Sequence, residues 1–73
     1  MGSDIKKRSV MIAGHATSVS LEEAFWTALR EEAERRGKSV NQLIREIDDE
    51  REGNLSSAIR VWVLTALRAR LPD

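Results

Sequence analysis

His15 is the only histidine in a 73-residue chain that has no cysteine and no tyrosine. The side chains that most often do chemistry at neutral pH are therefore nearly absent. A general base needs a partner that positions it, and a serine nucleophile needs an activating base. Ser18 and Ser20 lie near His15 in sequence. Ser20, however, stands three residues before Glu23 in an S-x-x-E pattern, a capping box that gives its hydroxyl a structural use. One imidazole makes no metal site without ligands from elsewhere. The acidic run Asp48, Asp49, Glu50 and Glu52 lacks the alternating spacing and central glycine of a calcium loop. Gly37-Lys38-Ser39 lacks the upstream glycine and the strand of a phosphate-binding loop. We expect a chain that is not an enzyme, with no catalytic residue, metal or cofactor, and His15 as a strand or bend residue bonded locally.

The remaining chemistry is that of binding. Lys6, Lys7 and Arg8 make a basic cluster near the N-terminus, and cations so grouped can track phosphates by releasing condensed counterions. The alternative is a solubilising tail. Twelve basic and twelve acidic residues cancel over the whole chain, which argues against indiscriminate attraction to nucleic acid. The signs are unevenly spread: residues 21–53 hold ten acids and six bases, while both flanks are basic.

These groups need elements to position them. Seventy-three residues allow one domain, divided here into an arm, 1–8, and a folded region, 9–73. So small a chain buries little core, and with no disulfide or metal the expected source of stability is a partner chain. Ser9 to Ala13 is apolar in both phases. Val10 and Ile12 are even-numbered, whereas Val19 and Leu21 are odd, so one regular strand cannot place all four on one face. Gly14 marks a break between a separate extended piece and the strand proper. In that strand Thr17, Val19 and Leu21 share one face, and Ala16, Ser18 and Ser20 the other. A first helix is expected over 21–36, with Leu21, Phe25, Ala28, Leu29 and Ala33 as its stripe. Trp26 lies off that stripe, against another helix or at an interface. Gly37 suits the helix end. Ser39 and Gln42 form a second capping box, opening a helix over 40–52 with the stripe Val40, Leu43, Ile44 and Ile47. Gly53 ends it. Asn54 caps a third helix over 55–71, in which Ile59, Trp62, Val63, Ala66 and Leu67 form one strip and Val61 and Leu64 widen it. The longest apolar run, Val61 to Leu64, is far short of a membrane span. With no cysteine and no signal-like apolar stretch, a cytoplasmic protein is expected.

The order strand, helix, R-R-G-K-S turn at Arg35 to Ser39, and L-I-R-E-I at Leu43 resembles the ribbon-helix-helix fold of Arc, MetJ and CopG-type bacterial repressors. The N-L-S-S-A-I-R-V-W-V-L run from Asn54 and the S-V-M-I-A-G-H run from Ser9 resemble a bacterial subgroup of that fold with a third, C-terminal helix. The resemblance implies a mainly α chain with one short β-strand, pairing with a second copy into an intermolecular antiparallel ribbon. It implies a dimer core of Val19, Leu21, Leu43, Ile44, Ile47 and Trp62. It implies a repressor-like regulator of transcription binding double-stranded DNA through Ala16, Ser18 and Ser20, through the second helix start at Ser39, Val40 and Asn41, and through Lys38 and the arm Lys6, Lys7 and Arg8. Ala16, Ser18 and Ser20 are small, and bidentate base readout needs longer groups. The competing expectation is a dimeric protein-interaction module on the same scaffold, engaging another protein through the third helix, with Trp62, or through the polar tail of the second helix.

Overall fold

The computed structural model describes residues 4–51 and 53–71. Strand β1 (Ile5–Ile12) and strand β2 (His15–Glu22) precede helices α1 (Glu23–Arg35), α2 (Val40–Asp49) and α3 (Leu55–Ala69). The expectation of a single strand is corrected: there are two strands, and they pair with each other in one antiparallel sheet. The expectation that the second strand lacks a partner in its own chain falls with it. The cause lies at Ala13 and Gly14, whose φ values of 51° and 83° are both in the left-handed region. That conformation makes the tight two-residue turn whose twist matches a hairpin. The break near Gly14 is thus a reversal of direction.

The register runs from Ile5 opposite Glu22 to Ile12 opposite His15. Because side chains alternate across a strand, Val10 and Ile12 join Val19 and Leu21 on one face, and all four are buried. The helices cover that face. From α1 come Trp26, Leu29 and Ala33, from α2 Leu43, Ile44 and Ile47, and from α3 Leu55, Ile59 and Val63. Trp26 belongs to this core, because β1 supplies the surface that it packs on. Its Nε1–H donates to the Lys6 carbonyl at 3.0 Å. Phe25 and Ala28, expected in the stripe, are only partly buried.

Helix ends follow their caps, with three differences from expectation: the start of α1, the end of α2, and the end of α3, which stops at Ala69 rather than 71. Ser39 Oγ accepts from the Gln42 amide and Asn54 Oδ1 from the Ser57 amide, both at 3.0 Å. Gly37 takes φ 69° just past α1. Ser20, by contrast, stays in β2 and caps nothing: the residue before α1 is Glu22, with no side-chain cap. Extending β2 through Leu21 and Glu22 gives up that box and gains full burial of Leu21, worth about 1.5–3 kcal/mol. Helix α2 stops at Asp49 rather than running to 52, where its sequence has turned wholly polar.

Helix α3 is fastened at both ends. Near its start, the Ser20 amide donates to Ser56 Oγ at 3.1 Å, and Arg60 donates to the Ser20 carbonyl at 3.1 Å and to Glu22 Oε1 at 3.0 Å. These contacts cover the outer edge of β2 at Ser20. Near its end, Arg70 Nη2 lies 2.7 Å from Oε2 of Glu32, a carboxylate only 1% exposed, as an ion pair without hydrogen-bond geometry. Arg36 reaches Glu32 Oε1 at 3.4 Å and stacks 5.0 Å over the Trp62 ring.

Candidate nucleic-acid interface

One face of the hairpin carries no helix. Alternation places Ile5, Lys7, Ser9 and Met11 of β1 there, opposite Glu22, Ser20, Ser18 and Ala16 of β2. Ile5, Lys7, Ser9, Met11, Ala16 and Ser18 are exposed, while Ser20 and Glu22 are partly covered by α3. Ser9 and Ser18 stand directly opposite each other, placing two hydroxyls side by side. A two-stranded ribbon of this kind, with strands about 4.8 Å apart, is narrow enough for a groove about 12 Å wide.

The basic residues of 1–8 are part of β1 rather than of a free arm, and they do not share one direction. Lys7 lies on the outer face. Lys6 and Arg8 fall on the inner side, opposite Leu21 and Val19, at its exposed rim. Arg8 is committed locally: its guanidinium sits 5.0 Å over the Trp26 ring and 3.9 Å from Glu23. Lys6 and Lys7 have no ion-pair partner among the described residues.

At the start of α2, Ser39 and Asn41 are exposed and Val40 is partly buried. Ser39 Oγ already serves the Gln42 amide. The Val40 and Asn41 amides remain as first-turn donors, which together with the positive end of the helix dipole suit an anion. Lys38 beside them is paired, its Nζ lying 2.6 and 2.8 Å from the two Glu46 oxygens. Glu22, at the opposite end of the outer face, is held below the usual glutamate range. Its own backbone hydrogen bond contributes most, and the Arg60 side chain next. His15 is exposed beside the hairpin turn.

Five of the six residues expected in a dimer core, Val19, Leu21, Leu43, Ile44 and Ile47, are buried within the single chain. Trp62 is half-buried and lines a groove between α2 and α3. Sequence reasoning missed Ile5, Ser9 and Met11 as outer-face residues. The signal was available in two extended runs separated by two residues, the second a glycine, which reads as a hairpin. Among the described residues no helix is long and apolar enough to cross a membrane.

No curated protein matches this chain. Among solved structures, an uncharacterized protein from Bordetella pertussis Tohama I is similar, with a TM-score of 0.79 and 38% identity over 97% of this chain. This chain spans 65% of that protein's length. The family of the ribbon-helix-helix domain matches residues 5–67, which takes in both strands and nearly all of α3. On that match, and on the ribbon followed by helices that the structure displays, the chain belongs to the ribbon-helix-helix domain family, a fold of the DNA-binding regulator type.

Proposed function

We propose that this protein is a cytoplasmic, homodimeric DNA-binding regulator of transcription that presents the outer face of its hairpin to the major groove. The observation that carries this reading is the exposed, helix-free ribbon face bearing Lys7, Ser9, Ala16 and Ser18. On this reading Lys7 is the outward cation of the ribbon, while Lys6 and Arg8 meet phosphates from its rim. Val40 and Asn41 offer amides, and Ser39 a hydroxyl edge, to a phosphate that fixes the register. Lys38 contributes by exchanging Glu46 for a phosphate, an inexpensive trade because exposed ion pairs are worth about 0–1 kcal/mol. Ser18, with Ser9 beside it, reads base edges. Ala16 offers a methyl to thymine. Ser20 contributes least, since α3 holds its backbone. Hydroxyls discriminate bases weakly, so specificity is modest and draws on DNA shape.

Titration of a labelled duplex at two salt concentrations tests this. Binding should weaken as salt rises. Substituting Lys6, Lys7 and Arg8 together by alanine should lower affinity for all sequences alike and flatten the salt slope by about one for each phosphate no longer neutralised. Ser18→Ala should change sequence preference more than overall affinity. No binding by the wild type at low salt would overturn the reading in favour of a protein-interaction module on the same scaffold.

A further inference from the structure

The outer face of the hairpin changes character along its length. Its cross-strand pairs run Ile5 with Glu22, Lys7 with Ser20, Ser9 with Ser18 and Met11 with Ala16. The first pair brings a carboxylate, held by Arg60 at 3.0 Å. The next two bring one cation and three hydroxyls. The last, beside the turn at Ala13 and Gly14, is wholly apolar. Met11 is 55% exposed, and Ala16 across from it is a single methyl. The core has no use for this pair, since it takes Val10 and Ile12 from the other face of the same strand.

An apolar pair gains from a duplex only where the duplex offers an apolar group. In the major groove the base edges are hydrogen-bond donors and acceptors, with one exception, the C5 methyl of thymine. Methionine suits such a contact, because its unbranched, polarizable side chain fits irregular surfaces. We infer that Met11, backed by Ala16, is a specificity-determining residue of the ribbon and selects thymine by packing on its C5 methyl. The selecting side chain then comes from β1, while the small residues Ala16 and Ser18 of β2 lie alongside. Ile5 is as exposed, at 58%, and shares the face, but it stands opposite Glu22. Phosphates and acceptor-rich base edges are repelled by a carboxylate, so that end of the ribbon does not enter the groove as the tip does. The nearest charged side chain to the tip on this face is Lys7, a cation with no ion-pair partner among the described residues.

This inference rests on the ribbon-in-groove reading above and names the base that the ribbon prefers. The probes are an alternating A·T duplex and the same duplex with uracil in place of thymine, which differ only in the C5 methyl. Anisotropy titrations use the full chain at low salt. The wild type should bind the thymine duplex about fourfold more tightly for each methyl in contact, the affinity equivalent of one buried CH₂ group. Met11→Ser should lower the thymine affinity to near the uracil value and leave the salt slope as it was, whereas Met11→Leu should keep the preference. Lys7→Ala should weaken binding to both duplexes alike and reduce the salt slope by about one. Ile5→Ser should leave the thymine-to-uracil ratio unaltered. All three positions are exposed, so each variant should retain the wild-type circular dichroism. Equal wild-type affinity for the two duplexes overturns the inference and leaves the DNA reading standing. A ratio that survives Met11→Ser, or that vanishes in Ile5→Ser, overturns the assignment to Met11. No binding to either duplex overturns the DNA reading and the inference with it.

Discussion

The hairpin turn offers a direct test of how the ribbon is built. Ala13 holds φ 51°, a conformation that costs an L-residue about 1–2 kcal/mol because Cβ crowds the following carbonyl. The turn type nonetheless requires positive φ at both central residues. Ala13→Gly removes that strain and adds backbone entropy to the unfolded chain, worth roughly 0.5–1 kcal/mol. The net gain should be about 0.5–1 kcal/mol. Ala13→Asn should do about as well, since asparagine tolerates this region and is favoured at that turn position. For a domain this small, such a gain raises the melting temperature by about 2–8 °C. The reciprocal change is Gly14→Ala. A Cβ at Gly14 would meet no atom within 4 Å, while φ is +83°, so its cost is conformational alone and should be about 1–2 kcal/mol of stability. Thermal melts followed by far-ultraviolet circular dichroism, repeated in urea, measure all three variants. The reasoning fails if Ala13→Gly and Ala13→Asn both destabilise, because the chain would not then turn at Ala13 and Gly14 in solution.

Two further outcomes bear on the core and on pH. Val19→Asp places a carboxylate at a site with no exposure, opposite an Arg8 already engaged by Trp26 and Glu23, and should destabilise the protein by several kcal/mol, whereas Ser18→Asp on the outer face should leave the urea midpoint nearly unchanged; equal effects would mean that the phase of β2 is wrong. Glu22 has a depressed folded-state pKa, so its contribution is present above the unfolded value of about 4.3 and is lost as pH falls through the lower folded value. Glu22→Gln should therefore flatten the acid limb of the stability curve below about pH 4 and leave the shape of the curve near neutral pH unaltered, as urea titrations across that range would reveal.

Much of this architecture was legible in local signals. The phase of β2, the turn at Gly37, the Ser39 and Asn54 caps and the apolar face of α2 all depend on residues within a few positions of each other; the strip expected on α3 is only partly met, since Ile59 and Val63 are buried, Leu67 is exposed and Leu55 joins the core instead. Long-range pairing was less so. The second strand hides in Ile5 to Ile12 because its polar and basic half, Lys6 to Arg8, resembles a solvated tail, and only pairing with β2 gives that half a structural reason. Trp26 stands off the expected stripe for the same cause, since it packs where β1 runs. Ser20 satisfies the letter of a capping box, yet burial of Leu21 and bonding to Ser56 and Arg60 outweigh one cap. On the candidate interface, the small side chains of Ala16 and Ser18 were evident from the alternation, but the division of the basic cluster into Lys7 outward and Arg8 against Trp26 and Glu23 follows only from the strand's register.

The hairpin also changes how dimerisation relates to binding. Both sides of β2 are occupied, by β1 along one edge and by Ser56 and Arg60 at Ser20 on the other. A strand from a second copy could pair alongside Ser20 only by displacing these contacts. The two-stranded ribbon is thus complete within one chain, and on the proposed reading a dimer presents two such ribbons to the duplex. A monomer should therefore keep a binding surface and lose avidity. Protein diluted until it sediments as a monomer should bind random duplex with about half the salt slope of the dimer, because half the phosphates are neutralised per binding event. Its affinity should fall by about 10²–10⁴, the span expected when two linked binding surfaces become one. Anisotropy titrations from low to moderate salt, with the monomer's mass confirmed in the same buffer, measure both quantities. Complete loss of binding in a folded monomer would show that the ribbon needs the partner's chain to form, and would refute the self-contained hairpin.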